Sequence, residues 1–362
     1  MTGSTRSVIV ACLCSVIVSV SGNSFGEYHY KQQDSSLNQE PLIGILSQPL
    51  FHDLENVSFI AASYVQFVEA AGARAVPIVY NDPKEKIIET FGKINGLILP
   101  GGTVGSDASS AELYDEVARM LLSLAWEKNM RNDTFAVHGF CMGFQMLMRF
   151  YSEQGDSILA KGFDSAEHAN ELLWTSKAGN SRLVGGDGPA STLRARMGQV
   201  PPIVLENHHE GIDIDSFYND KYLPVHWDVL SHSKDRSGRV YVSTVEAKDP
   251  IAFSGTQWHP EKNAFEWKSH SIPHSSEAVA VSQFLANRFV DQARRSSHRP
   301  NSQADLDDLI IWNRPPVFHS PLVRDFELIF VYGPYKHLHM SNLAKRPSKK
   351  TLEAVARSKV FY

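Results

Sequence analysis

The stretch HGFCMGF, residues 138–144, decides the fold of this chain because it joins a buried strand pattern to a helix pattern. The segment before it, TFAV, is short and apolar. The apolar residues after it follow helical spacing, at Phe144, Leu147, Met148 and Tyr151. Glycines two positions on either side of Cys141 give the form G-x-C-x-G, which is typical of a sharp strand-to-helix turn that exposes its central side chain. We therefore expect Cys141 at a helix N-terminus, where the helix dipole lowers the pKa of the thiol.

The cysteine count makes this thiol unusual. The 362-residue chain has three cysteines, and two of them, Cys12 and Cys14, lie in an N-terminus where a basic residue precedes an apolar run and small residues follow. This order is typical of a secretory signal peptide. We predict a signal peptide over 1–22 and a linker over 23–40. Cys141 would then be the mature chain's only cysteine, either reactive or paired between molecules, or else inert and buried.

Other features agree with export. Sequons predict N-glycosylation at Asn56 and Asn132. The formal net charge is −5 and the basic residues are mostly dispersed, so we expect no nucleic-acid partner. No apolar run after the leader reaches the length of a membrane span. We therefore expect a soluble protein of the secretory pathway, extracellular or lysosomal (vacuolar).

The first half of the chain alternates aliphatic runs with amphipathic segments. Strands are predicted at 41–49, 73–80, 94–102 and 134–140. Between them we predict a helix over 59–72 capped by Ser58, a short helix opened by Asp82-Pro83, and a helix whose capping box is formed by Ser109 and Glu112. This order predicts a three-layer α/β/α fold with a central, mostly parallel sheet.

The second half has strand candidates close together, which predicts antiparallel additions. They lie at 202–207, 226–233, 239–247 and 251–258, and a helix is predicted over 275–294. We expect one domain over 41–295 and a C-terminal segment over 296–332 that docks on it. Residues 333–362 are basic and should form a flexible tail, with contact to an anionic surface as the alternative.

A cysteine nucleophile needs a base and an oxyanion site. In GTQWHPEK, His259 can take the thiol proton and Glu261 can orient the imidazole. The backbone N–H groups of Met142 and of the glycine pair Gly101-Gly102 are candidate oxyanion donors, because glycine allows close approach of a substrate.

The motifs GFCMGF, QWHPEK, INGLILPGG and IAASYVQFVEAAGARAVPI resemble those of the γ-glutamyl hydrolase family, which has the class I glutamine amidotransferase-like (flavodoxin-like) fold. EWK at 266–268 extends this resemblance, which runs from Pro41 to Arg294 and more weakly to Tyr332.

The resemblance implies a cysteine γ-peptidase that hydrolyses the γ-glutamyl bonds of folate (pteroyl) polyglutamates through a thioester on Cys141. His259 would be the base and Glu261 the orienting carboxylate, while Gly102 and Met142 would form the oxyanion hole. His209 matches a substrate-binding histidine of the family better than His208 does. Substrate-binding roles are also implied for Gly101 and for Gln145, where family members often carry an acidic residue. The resemblance implies no cofactor and no metal, and it makes a homodimer an expectation.

Other functions stay open at this point. The same pocket could hydrolyse other γ-glutamyl peptides. An amidotransferase glutaminase subunit is a second possibility, although a cytosolic role would not explain the leader. A third is a catalytically silent secreted glycoprotein, and a metal site at His208, His209 and Glu210 is a fourth reading with little support from their spacing.

Overall fold

The computed structural model describes residues 37–50, 56–103, 108–318, 323 and 325–333. These residues belong to one compact unit. The predicted signal peptide, most of the predicted linker and nearly all of the predicted basic tail lie outside the described residues.

The helices and strands come in the order expected of an α/β protein. The strands are β1 Leu42–Leu46, β2 Gln48–Pro49, β3 Ser58–Ala61, β4 Arg74–Ile78, β5 Gly96–Leu99, β6 Ala136–Phe140, β7 Ala160–Asn170, β8 Leu173–Trp174, β9 Val204–Gly211, β10 Trp227–Lys234, β11 Val240–Ala247, β12 Phe253–Thr256, β13 Val317–Phe318 and β14 Leu328–Tyr332. The α-helices are α1 Ala62–Ala70, α2 Lys84–Phe91, α3 Ala108–Met130, α4 Met142–Tyr151, α5 Pro189–Met197, α6 Ile214–Asn219, α7 Leu223–His226, α8 Ser276–Ala293 and α9 Gln303–Leu309.

The central sheet confirms the predicted fold class. Its strand order is β4-β1-β5-β6-β12-β11-β10-β8, and the pairings from β4 through β12 are parallel. The remaining pairs, β12 with β11, β11 with β10 and β10 with β8, are antiparallel. Two separate hydrophobic clusters contain helix and strand residues, as expected where helices pack on a sheet. The parallel strands therefore bring the ends of β5, β6 and β12 to one edge of the sheet.

Two predicted helix starts are wrong. Ser58–Ala61 forms β3, which pairs with β2 and β14, so the helix begins at Ala62 and Ser58 does not cap it. The pairing partner β14 lies far along the chain, and its hydrogen bonds override the local helical pattern. Ser109 lies inside α3, which already includes Ala108, so it cannot form the predicted capping box.

The second half follows the predicted strands but pairs some of them differently. The segment predicted at 202–207 becomes β9, which pairs with β7 in a separate two-stranded sheet. β12 is antiparallel to β11 but parallel to β6. The long strand β7 was not predicted, because its sequence lacks a continuous aliphatic run. The helix predicted over 275–294 is α8, and Ser275 caps it by accepting a hydrogen bond from Ala278 N.

The C-terminal segment packs against the start of the fold. β14 pairs antiparallel with β3, and Phe326 is buried against Phe59 and Tyr64 with ring centroids 6.2 and 6.4 Å apart. This packing brings residues from the end of the described chain to the sheet edge that β5, β6 and β12 share. Over the described residues, every helix is too short or too polar to cross a membrane.

Candidate active site

Cys141 lies on the turn between β6 and α4 in a strained conformation. Its φ is 46° and its ψ is −104°, in a region that residues with a side chain rarely adopt. The flanking glycines make this turn feasible. A Cβ on Gly139 would lie 2.5 Å from the carbonyl carbon of Gly143, and a Cβ on Gly143 would overlap the carbonyl of Leu99. The G-x-C-x-G pattern therefore reflects a crowded turn against the end of β5.

The predicted lowering of the Cys141 pKa is wrong. The residue is buried, and this burial raises the pKa of the thiol to about 12, because the thiolate would lose its hydration. The charge of Lys262 and the backbone N–H of Met142 act in the opposite direction but do not outweigh burial. The resting nucleophile is therefore a thiol that needs a base to remove its proton.

His259 and Glu261 form a hydrogen-bonded pair beside the thiol. His259 Nδ1 lies 2.7 Å from Glu261 Oε1, and both side chains are almost completely buried. A Cβ placed on Gly101 would lie 2.8 Å from His259 Cε1 and 3.0 Å from Cys141 Cβ, so the imidazole and the cysteine both lie next to Gly101. This arrangement leaves Nε2 of the imidazole as the nitrogen that can exchange a proton with the reacting groups.

The glycine pair after β5, Gly101 and Gly102, lies beside the catalytic side chains. Gly101 N donates a hydrogen bond of 2.8 Å to Tyr64 Oη, so this N–H already has an acceptor. Gly102 has a φ of 136°, which favours glycine, and it lines the cavity with Met142. The geometry thus leaves Gly102 and Met142, rather than Gly101, as backbone groups that can face an oxyanion.

Two glutamine side chains connect the thiol to the adjacent wall. Gln257 Nε2 donates to Cys141 Sγ over 3.5 Å, and Gln257 Oε1 accepts from Gln145 Nε2 over 3.2 Å. Gln145 Nε2 also donates to Glu210 O over 2.9 Å. Gln145 lines the cavity, but its amide nitrogen is engaged by protein groups. An acidic side chain at this position could not donate these hydrogen bonds.

The two histidines of β9 have different surroundings. His208 is buried, with Nε2 3.2 Å from Glu206 Oε2 and Nδ1 2.8 Å from Glu210 O. His209 Nδ1 lies 3.2 Å from Phe163 O, and its Nε2 is buried without a hydrogen-bond partner in the described part of the chain. Both line the cavity. Nε2 of His208 also has no hydrogen-bond partner there, but it has the Glu206 carboxylate as an ion-pair partner, whereas Nε2 of His209 has neither among the described residues. In the same part of the chain, no cluster of His, Cys, Asp and Glu residues suits a metal ion.

The site opens into a cavity of about 740 Å³. From Cys141 its lining extends along α4 to Arg149, where Arg149 pairs with Asp156 at 2.5 Å and with Asp115 at 3.5 Å. On another side it includes Lys262 and Phe326. A volume of this size suits a ligand larger than a single amino acid.

Several residues of the site were not predicted. Tyr64, Gln257, Lys262 and Phe326 contact the nucleophile's surroundings or line the cavity. Gln257 and Lys262 flank His259 within the motif QWHPEK, so the motif itself was the signal that could have suggested them. Tyr64 and Phe326 have no comparable signal, because tertiary packing alone brings them to this edge.

The chain as a whole is similar to known proteins. The peptidase C26 family profile matches residues 41–261. Gamma-glutamyl hydrolase 1 of Arabidopsis thaliana is 35% identical over 309 residues, which cover 83% of this chain and 84% of that protein. Gamma-glutamyl hydrolase of Homo sapiens is 32% identical over 300 residues, or 81% of this chain and 90% of that protein. One of the solved structures that the chain is similar to is the CTPS glutaminase domain of Trypanosoma brucei with bound acivicin. The two share 11% sequence identity at a TM-score of 0.43, and the match covers 71% of this chain and 95% of that one.

Proposed function

Because the chain belongs to the peptidase C26 family, whose matching relatives are γ-glutamyl hydrolases, we propose that Cys141, His259 and Glu261 carry out its reaction on folate polyglutamates. The chain is a cysteine-type γ-glutamyl hydrolase. The observation that supports the residue roles best is the buried pair of His259 and Glu261 beside a cysteine held at a φ of 46°.

The first half of the reaction forms a thioester. His259 Nε2 takes the thiol proton as Cys141 Sγ attacks the carbonyl carbon of the γ-amide. The carbonyl oxygen becomes an oxyanion, which the N–H groups of Met142 and Gly102 can stabilise. When the carbon–nitrogen bond breaks, the imidazolium returns the proton to the leaving amine, and the acyl group stays on sulfur.

The second half releases the acyl group. Water loses a proton to His259 Nε2 and attacks the thioester carbonyl, and the carbon–sulfur bond breaks. The imidazolium then protonates the departing sulfur, so the product leaves as a carboxylic acid and Cys141 is again a thiol. In both halves the Glu261 carboxylate stabilises the imidazolium through Nδ1.

The folate polyglutamate substrate rests on the family and on the shape of the site. A cavity of about 740 Å³ that runs from Cys141 along α4 has room for more than one glutamyl unit. His209, with its unpartnered Nε2, is proposed as a substrate-binding group. Gln145 is proposed to border the substrate while its amide nitrogen holds Gln257.

The test is incubation of the mature protein and of Cys141→Ala with folate pentaglutamate at acid pH, followed by mass analysis of the products. Shortening by the wild type but not by the variant supports the proposal. If a simple γ-glutamyl dipeptide is cleaved but folate pentaglutamate is not, the folate assignment fails. The lengths of the products separate endo- from exo-cleavage.

We propose that the protein acts in the secretory pathway, outside the cell or in lysosomes or vacuoles. Asn56 and Asn132 are both exposed and lie in turns with φ of 64° and 59°, where a glycan would meet solvent. Removal of N-glycans should increase the gel mobility of the protein from a secreting host. The variants Asn56→Gln and Asn132→Gln should each remove part of this shift, and an unshifted wild type would contradict the proposal.

A further inference from the structure

Gln48 has a buried side-chain amide that lies directly against Gly102. The residue is 1% exposed, and a Cβ placed on Gly102 would lie 2.8 Å from Gln48 Nε2, 3.1 Å from its Oε1 and 3.3 Å from its Cδ. The amide group therefore occupies the space that a side chain at position 102 would need. Because Gln48 is not among the residues that line the described cavity, it contacts Gly102 from the interior of the protein.

The backbone around Gln48 is fixed by the first strands of the fold. Gln48 begins β2, close behind β1, and it pairs with Phe59 of β3. The residue before it, Ser47, donates its N–H to Ile78 O over 2.8 Å and accepts a 3.0 Å hydrogen bond from Tyr80 N on its hydroxyl. The Gln48 side chain thus extends from a hydrogen-bonded strand, which positions a side chain more precisely than a loop does.

Two polar groups next to Gly102 are buried without a partner. Gln48 Nε2 carries two N–H donors but has no acceptor among the described residues. The hydroxyl of Thr103, the residue after Gly102, is also buried and has no hydrogen-bond partner in the same part of the chain. Nearly all buried polar groups in proteins are hydrogen-bonded, so two exceptions beside one glycine call for an explanation. An amide N–H can donate to a hydroxyl oxygen, so the two groups are able to satisfy each other.

The oxyanion role proposed for Gly102 supplies this explanation. Glycine has more backbone freedom than other residues, whereas an N–H group stabilises an oxyanion best when its direction is fixed beforehand. The neighbouring Gly101 is held through the hydrogen bond from its N–H to Tyr64 Oη. For Gly102, the three heavy atoms nearest to the Cβ position all belong to Gln48. Gln48 is therefore the side chain placed to fix Gly102.

We infer that Gln48 is a positioning residue for the oxyanion site: when the substrate reacts, Gln48 Nε2 donates a hydrogen bond to Thr103 Oγ1 and holds the Gly102 N–H toward the oxyanion. This inference rests on the proposed γ-glutamyl hydrolysis at Cys141. In the structure the two groups are unpaired, so their hydrogen bond would be gained in the reacting state. An interaction that is made only in the transition state raises kcat and leaves substrate binding unchanged.

The test uses Gln48→Met, Thr103→Val and the double variant, each of which removes a hydrogen-bonding group at a similar side-chain volume. Gln199→Met, which changes an exposed glutamine outside the cavity lining, is the matched control. Initial rates with a γ-glutamyl peptide give kcat and KM. Inhibition is measured with an aldehyde analogue, in which hydrogen replaces the leaving amine. The Cys141 thiol adds to its carbonyl carbon, and the carbonyl oxygen then lies in the oxyanion site.

Gln48→Met and Thr103→Val should each lower kcat by about 10-fold, change KM by less than about twofold, and weaken inhibition by the aldehyde by about 10-fold. The double variant should lose no more than either single variant, because each of these already lacks the bond. Gln48→Met should melt no lower than the wild type, since it removes a buried donor that has no partner. Gln199→Met should behave as wild type.

A Gln48→Met protein with wild-type kcat, or with a loss in KM alone, would overturn the inference. Losses that multiply in the double variant would overturn it as well, because they would show that the two side chains act separately. If Gln48→Met does not fold, Gln48→Glu, which has nearly the same shape but no N–H donor, gives the same comparison. A wild type that cleaves no γ-glutamyl peptide would overturn the proposed function together with the inference, whereas an active wild type with an equally active Gln48→Met overturns the inference alone.

Discussion

Replacing Glu261 by glutamine tests the most tightly held contact of the catalytic site. Glu261 Oε1 lies 2.7 Å from His259 Nδ1, and the carboxylate is fully buried. Over a charge separation of about 4 Å and an effective dielectric constant of about 20, a carboxylate stabilises the imidazolium by about 4 kcal/mol. Since 1.4 kcal/mol corresponds to a factor of ten, Glu261→Gln should lower kcat/KM by about 10³-fold.

The assay is the initial rate of cleavage of a γ-glutamyl peptide, with circular dichroism melting to establish that the variant is folded. Glu277→Gln is the matched control, because Glu277 is exposed and pairs with Arg196 on the surface. We expect it to change kcat/KM by less than about twofold. A folded Glu261→Gln protein that keeps a tenth or more of the wild-type kcat/KM would refute the role assigned to this carboxylate.

Three further variants test a buried carboxyl group, the crowded turn at Cys141 and the hydrogen bond between Gln145 and Gln257. Burial raises the pKa of Glu266 from 4.5 to about 7, so the folded state binds its proton more tightly than the unfolded state does. The ionisation of this group should therefore lower the free energy of unfolding by about 3 kcal/mol as pH rises from 4.5 to 7. Urea unfolding of Glu266→Gln should lack that part of the decline, and an unchanged pH dependence would contradict the burial argument. Gly143→Ala should reduce the free energy of unfolding by about 3 kcal/mol, because its Cβ would overlap the Leu99 carbonyl; a neutral effect in urea unfolding would refute the crowding. The side chain introduced by Gln145→Glu cannot donate a hydrogen bond to Gln257 Oε1, and it adds a negative charge near the thiol. Alkylation of Cys141 by iodoacetamide should therefore slow several-fold. An equal or faster rate of alkylation would count against this contact.

The sequence predicted those features of the fold that depend on local patterns. The parallel strands and the turn at Cys141 follow from aliphatic runs, helical spacing and paired glycines, which are visible over a few residues. The strand at Ser58–Ala61 could not be predicted in this way, because its nearby partner β2 pairs with it at two residues, whereas the four-residue pairing is with β14, far along the chain.

The site was predictable to a similar degree. The motif QWHPEK brings His259 and Glu261 together locally, and the structure places them 2.7 Å apart. The high pKa of the Cys141 thiol depends on how deeply several distant segments bury it, and a local pattern holds no information on that depth. The contact of Lys262 with Phe326 likewise arises from a segment that packs onto the domain from the C-terminal side.

The role of Cys141 as nucleophile is tested most directly by the mass of the protein after rapid acid quenching during turnover of a γ-glutamyl peptide. We expect a covalent acyl group on the tryptic peptide 132–149, which contains Cys141 and no other cysteine. We also expect that Cys141→Ala carries no adduct and has no measurable hydrolysis. Hydrolysis by Cys141→Ala at a rate near that of the wild type, or an adduct on another peptide, would contradict the role of Cys141 as nucleophile.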